Sequence, residues 1–159
     1  MSEVSELMAA ALDAETSFTE RPEVVPGDLR SSWRVALLLM LLDHCHGKSA
    51  TMEQVHAMGW AMLDESTRAA MRAAIAGDVE PDVVLVRYDP AWTRAMDLAV
   101  GFGFAEWVPS SGRIRLRSTG RAAASALGRA DRGFTAEREF LNGLTITQTM
   151  IDRLLGSVS

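Results

Sequence analysis

The stretch AMDLAVGFGFAEWVPSSGRIRLRSTGRAAASAL, residues 95–127, changes its hydrophobic period twice. Trp92, Ala95, Met96, Ala99 and Val100 recur at helical spacing, so a helix runs from Pro90 to Gly101 or Gly103. FAEWV (104–108) and RIRLR (113–117) then alternate around Pro-Ser-Ser-Gly. Two short alternating runs about such a turn predict a β-hairpin. Ser118 or Thr119 is placed to cap an alanine-rich helix reaching Leu127. Helix, hairpin, helix is therefore the frame into which the rest of the chain must fit.

Working towards the N-terminus, Asp89-Pro90 is an N-cap followed by proline at the first helical position. VVLVRY, 83–88, is short and β-branched and predicts a strand. DESTRAAMRAAIAG predicts a helix closed by Gly77, and Thr51 with Gln54 forms a capping box for a helix to about Leu63. Ser31 or Ser32 is expected to cap a helix from Trp33 to His46, with Gly47 as its left-handed C-cap. Its segment Val35–Leu42 is apolar almost all round, so most of its sides should be buried. Residues 3–14 place Val4, Leu7, Met8, Ala11 and Leu12 on one helical face, and a linker with Pro22, Pro26 and Gly27 follows. Beyond the hairpin, short helices are expected around Glu137–Leu141 and from Thr147 to Leu155.

Composition narrows the class. The chain of 159 residues suits one domain with appendages, and 48% apolar with 23% charged content is ordinary for a globular protein. Cys45 is the single cysteine, so no internal disulfide forms and a reducing, cytoplasmic setting is expected. The longest apolar run is too short to span a bilayer, so no membrane is expected as a partner. A net charge of −5 argues against a general nucleic-acid binder. The charge is uneven: residues 1–29 hold seven acids against Arg21 alone, and residues 104–132 hold six arginines against Glu106 and Asp131. Such asymmetry suits two solvated surfaces, and equally an acidic arm and a basic lobe facing different partners.

The stretch 95–127 resembles the back half of a winged helix. The corner Leu98, Gly101, Phe102, Gly103 and Phe104 and the ending Leu116, Ser118-Thr119-Gly120 carry the resemblance. It implies a mainly α fold with a small β-hairpin: an acidic N-terminal helix and linker (1–29), a winged-helix domain (30–128) and a C-terminal helical extension (129–159). The extra helix over 65–76, and a strand candidate lying directly before the presumed recognition helix, depart from the usual order. More narrowly, WRVALLLMLLDHCHGKSATMEQVHAMGWAM, VVLVRYDPAWTRAMDLAVGFGFAEWV and AEREFLNGLTITQTMIDRLL resemble the middle-component accessory proteins of bacterial ABC-three-component systems. Those are winged-helix proteins encoded with an SMC/ABC-type ATPase, often in antiphage defence. That resemblance implies an adaptor with no catalytic residues.

No residue set announces a reaction. His44 and His46, two apart on a helix, diverge by about 200°, and only Cys45 and His56 add nitrogen or sulfur ligands, so neither metal nor other cofactor is expected. Gly47-Lys48-Ser49 lacks the glycine a phosphate loop needs five residues earlier, where Leu42 stands. No Gly-x-Ser-x-Gly or dinucleotide fingerprint occurs. The binding candidates are the arginines. Arg113, Arg115 and Arg117 alternate with Ile114 and Leu116, placing three guanidinium groups on one strand face, and Arg121 follows. They suit contact with phosphate, including non-specific DNA, or with an acidic protein surface. Arg94 is a candidate interface anchor, Trp92 suits an interface anchor and a core position equally, and Ile151 represents the apolar stripe of the last helix, a further candidate anchor. The expected function is a non-enzymatic adaptor for another protein. The alternative is a DNA-binding regulator acting as a homodimer.

Overall fold

The computed structural model describes residues 27–79, 88–130 and 133–155. The helix expected over 3–14 and the strand expected over 83–88 lie outside them, except for Tyr88, which is in neither helix nor strand. Among the described residues the protein is mainly helical, with one small antiparallel sheet.

Helix α1, Gly27–His44, is the hub. Leu37, Leu38, Leu41 and Leu42 are fully buried, and Val35, Leu39 and Met40 nearly so, as the all-round apolar run requires. Its ends differ from expectation. Ser31 and Ser32 lie inside the helix rather than capping it. A serine in a helix costs at most about 0.7 kcal/mol relative to alanine, which is too little to stop a helix whose next turns are buried. At the other end the chain leaves helical geometry at Cys45 (φ −69°, ψ 149°), two residues earlier than the cap at Gly47 requires. Gly47 (φ 65°) and Lys48 (φ 54°) instead form a tight left-handed turn within His46–Lys48.

That turn feeds a strand the sequence does not reveal, β1, Ser49–Ala50. Helix α2, Met52–Ala61, starts at the expected capping box: Thr51 Oγ1 accepts from Gln54 N at 3.2 Å, and Gln54 Oε1 accepts from Thr51 N at 2.9 Å. Helix α3, Glu65–Ala76, starts on a reciprocal Asp64–Thr67 box and ends at left-handed Gly77, as read. Helix α4, Pro90–Gly101, is capped by Asp89, whose Oδ1 accepts from Ala91 N at 2.9 Å. The exit of α4 is a Schellman turn. Phe104 N bonds Ala99 O at 2.9 Å and Gly103 N bonds Val100 O at 3.0 Å, with Gly103 at φ +77°.

The hairpin follows: β2, Ala105–Val108, and β3, Arg113–Leu116, pair antiparallel, with Glu106 opposite Arg115. β1 lies on the other edge of β3, giving the order β1-β3-β2. Helix α5, Ser118–Arg129, follows with Arg117 at the cap position, so neither Ser118 nor Thr119 caps it. Contacts with the α4 corner hold its start instead. Arg117 N bonds Phe104 O at 2.9 Å, and Thr119 Oγ1 donates to Gly103 O.

The core lies around α1, which packs against α4 and α5 on one side and α2 and the following helix α6, Thr135–Asn142, on others. The last helix, α7, Gln148–Leu154, packs on α2 and α3. Ile151 is fully buried, and Phe140, Leu141, Ile146 and Leu154 join the same core. The C-terminal helices thus share the core of the preceding helices, and Ile151 is a core residue, not an outward interface anchor.

Candidate functional site

The alternating pattern of β3 places Ile114 and Leu116 in the core and turns Arg113 and Arg115 to the opposite face. The four arginines then meet different fates. Arg113 reaches across to β1 and α2: its Nε donates to Ser49 Oγ at 3.0 Å, and its Nη2 to Ser49 O at 3.0 Å and Gln54 Oε1 at 3.2 Å. It ties the hairpin to the capping box. Arg115 pairs with Glu106 across the strands at 2.7 Å, and that hydrogen bond holds the Glu106 carboxyl below its usual range. Arg117 and Arg121 are exposed.

A separation of effects follows. Arg113→Ala removes three hydrogen bonds and leaves buried Gln54 with one fewer donor, so a loss of about 1–3 kcal/mol is expected. Arg117→Ala should stay within about 0.5 kcal/mol. Urea titrations of the two variants check this, and equal midpoints would contradict the assigned role of Arg113.

For Trp92 the core alternative holds. It is fully buried on α4, with Arg34 stacked over its ring at 5.3 Å and Arg34 paired to Asp89 at 2.9 Å. It packs so closely on α2 that a Cβ on Gly59 would fall 2.4 Å from the indole. Trp92 is therefore a core residue. Arg94 remains outward. With Asp97 and Gly101 it forms the exposed face of α4 at spacings of three and four residues, and Phe102, 68% exposed, ends that face.

One feature escapes sequence reading altogether. Val35 and Leu39 of α1, Leu98 of α4, Phe102 and Phe104 of the corner, and Leu127 of α5 line an apolar groove of about 870 Å³, with Arg94, Ser31 and Ser32 also on its wall. In the sequence these residues belong to three separate periodic segments, and nothing local indicates that they surround one opening.

His44, Cys45 and His46 do not converge. His44 Nε2 donates to Leu144 O at 2.7 Å, His46 is exposed, and Cys45 is buried. Lys48 is half-exposed and pairs with Asp43 at 3.1 Å. Among the described residues no group of three potential metal ligands occurs, and no helix is long and apolar enough to cross a membrane. His56 is buried against Tyr88, with ring centroids 4.5 Å apart; burial lowers its pKa, partly offset by Asp89 and Glu53.

Burial pushes the Cys45 thiol up to about 11 from 9.0, against smaller opposing effects of Arg113 and Lys48. The folded thiol keeps its proton where the unfolded one loses it, so stability is full below pH 9 and falls as pH rises towards 11. Cys45→Ala should flatten that fall, as measured by urea titrations across the range. A disulfide reagent should label Cys45 only after denaturant is added.

Comparison with known proteins returned no matching family model, no similar curated protein and no similar solved structure.

Proposed function

We propose that this chain is a winged-helix adaptor that binds another protein through the outward face of α4, and that the partner is an SMC-like ATPase of a bacterial antiphage complex. What supports the fold reading is element order. A short strand follows the first long helix, β1 joins the hairpin sheet, and α4 runs through a Schellman corner into β2. β1 thus supplies the strand that the winged-helix order calls for after the first helix. α3 remains an insertion relative to that order.

The observation that carries the functional reading is the composition of the α4 face. A base-reading helix presents several Arg, Lys, Asn or Gln side chains to the groove floor. Here Arg94 is the one exposed side chain of those types on α4, and Asp97 sits one turn away. A carboxylate in that position would repel phosphate, while Asp97, Arg94 and the apolar edge at Phe102 together suit a protein surface.

Asp97→Arg reverses one exposed charge, so the melting temperature should barely move while co-purification with the proposed SMC-like ATPase partner weakens about tenfold or more. Duplex DNA should bind weakly and without sequence preference. With Arg117 and Arg121 as its two contacts, the log–log salt slope should be about 1.8. Nanomolar binding to one operator near about 150 mM salt, abolished by Arg94→Ala, would instead make the protein a regulator acting as a dimer.

A further inference from the structure

The exposed stripe of α4 consists of Pro90, Arg94, Asp97 and Gly101. Its spacings are four, three and four, so it reads the same from either end. Laid antiparallel on a copy of itself, it sets Arg94 against Asp97 twice and Pro90 against Gly101 twice. Among the described residues neither charge has an ion-pair partner within the chain. We propose that a second copy of this chain docks here, α4 against α4 about a two-fold axis, with Phe102 of each copy seated beside the start of α4 in the other.

Three observations select this occupant. The first is charge. A two-fold contact joins a surface to itself, so it needs opposite charges at positions that the axis exchanges. Arg94 and Asp97 stand at such positions, which fixes the register. The second is approach. Gly101 has no side chain, nothing lies within 4 Å of where its Cβ would be, and compact Pro90 stands opposite it. Helix axes then come to about 8–10 Å, a separation that a guanidinium spans to a facing carboxylate. The third is Phe102, 68% exposed on the α1 flank of α4. The same flank holds a cavity of about 350 Å³ lined in part by Arg34, Pro90, Ala91, Arg94 and Ala95. A two-fold axis across the helices sets this flank against itself, and the register brings Phe102 level with residues 89–91 of the second copy. A cavity of roughly 150 Å³ suffices for benzene, and Arg94 offers the ring a cation. One helix pair with one aromatic anchor buries less than the ~1,000 Å² of a stable interface, so the dimer is a weak one. The face is the one assigned above to the partner protein, so the two occupants exclude each other, but the dimer rests on the chain's own residues and not on that assignment.

The test is sedimentation of the full chain. The parent should pass from monomer to dimer between about 1 and 100 μM. Arg94→Asp and Asp97→Arg each set like charges face to face twice, so each should raise the dissociation constant about tenfold or more while the melting temperature stays put. An equimolar mixture of the two variants should recover the dimer, because every charge of one then meets its opposite on the other. Phe102→Ala should weaken the parent dimer about tenfold with no change of charge. A parent that stays monomeric throughout that range would overturn the proposal. So would a dimer that survives both charge changes, or a mixture that remains monomeric. Should one charge variant fail to fold, the other decides together with Phe102→Ala: loss of the dimer in both supports the two-fold contact, and persistence in either overturns it. None of these readouts involves the ATPase, so the partner assignment and this one fail separately.

Discussion

Gly120→Ala is expected to destabilise the protein by about 3 kcal/mol or more, near the top of the range for overpacking. A Cβ at Gly120 would sit 2.0 Å from Phe104 O and 2.9 Å from both Phe104 C and Leu116 Cδ2. The carbonyl cannot retreat freely, because it accepts from Arg117 N at 2.9 Å and belongs to the residue that completes the Schellman turn of α4. Relief therefore requires α5 to move off the hairpin corner. For a chain of this size the loss corresponds to a fall in melting temperature of about 6–12 °C. Gly128→Ala, in the same helix with nothing within 4 Å of its Cβ, is the control. It should be neutral or stabilising by up to about 1 kcal/mol, since alanine favours the helix. Equal melts for the two variants would refute the close approach of α5 to the corner.

The second large effect is expected at Ile151. Ile151→Glu places a carboxylate at a fully buried position between α7 and its supports α2 and α3. An unpaired buried charge is not tolerated. Either the fold is lost or α7 detaches, with Leu154 and the bond from Arg153 Nη2 to Ile75 O going with it. The expected loss is about 3–5 kcal/mol, against about 1 kcal/mol for Ile151→Val. Burial would raise the pKa of the new carboxyl, so the deficit should shrink as pH falls and the group is neutralised. A melt indistinguishable from the parent would restore α7 as an outward docking element. Chymotrypsin cleavage near Leu154 separates detachment of α7 from global unfolding.

Much of the element map is legible in the sequence because its signals act over three or four residues. The Thr51–Gln54 box, Asp89-Pro90, Gly77 and the Pro-Ser-Ser-Gly turn each close hydrogen bonds with near neighbours, and each stands where the pattern puts it. The same locality explains the errors at α1. Ser31 and Gly47 carry plausible end signals, but the helix runs through Ser31 and stops short of Gly47, where the chain turns to pair β1 with β3. A two-residue strand has no periodicity to read, so β1 exists only because β3 offers it an edge.

By itself, then, the sequence determined the helices, the hairpin and the alternation that buries Ile114 and Leu116, since each depends on backbone bonds and periodicity within a few residues. Only the tertiary structure decided what the marked side chains do. Arg113 became a tie because Ser49 and Gln54, 64 and 59 residues away, supply its acceptors, while Arg117 stayed exposed. His44 found its acceptor in Leu144, 100 residues on. Trp92 and Ile151 were covered by other helices, and the groove arose where α1, α4 and α5 diverge. Whether a side chain is core, tie or contact is a property of what stands opposite it, and packing places residues there from anywhere in the chain.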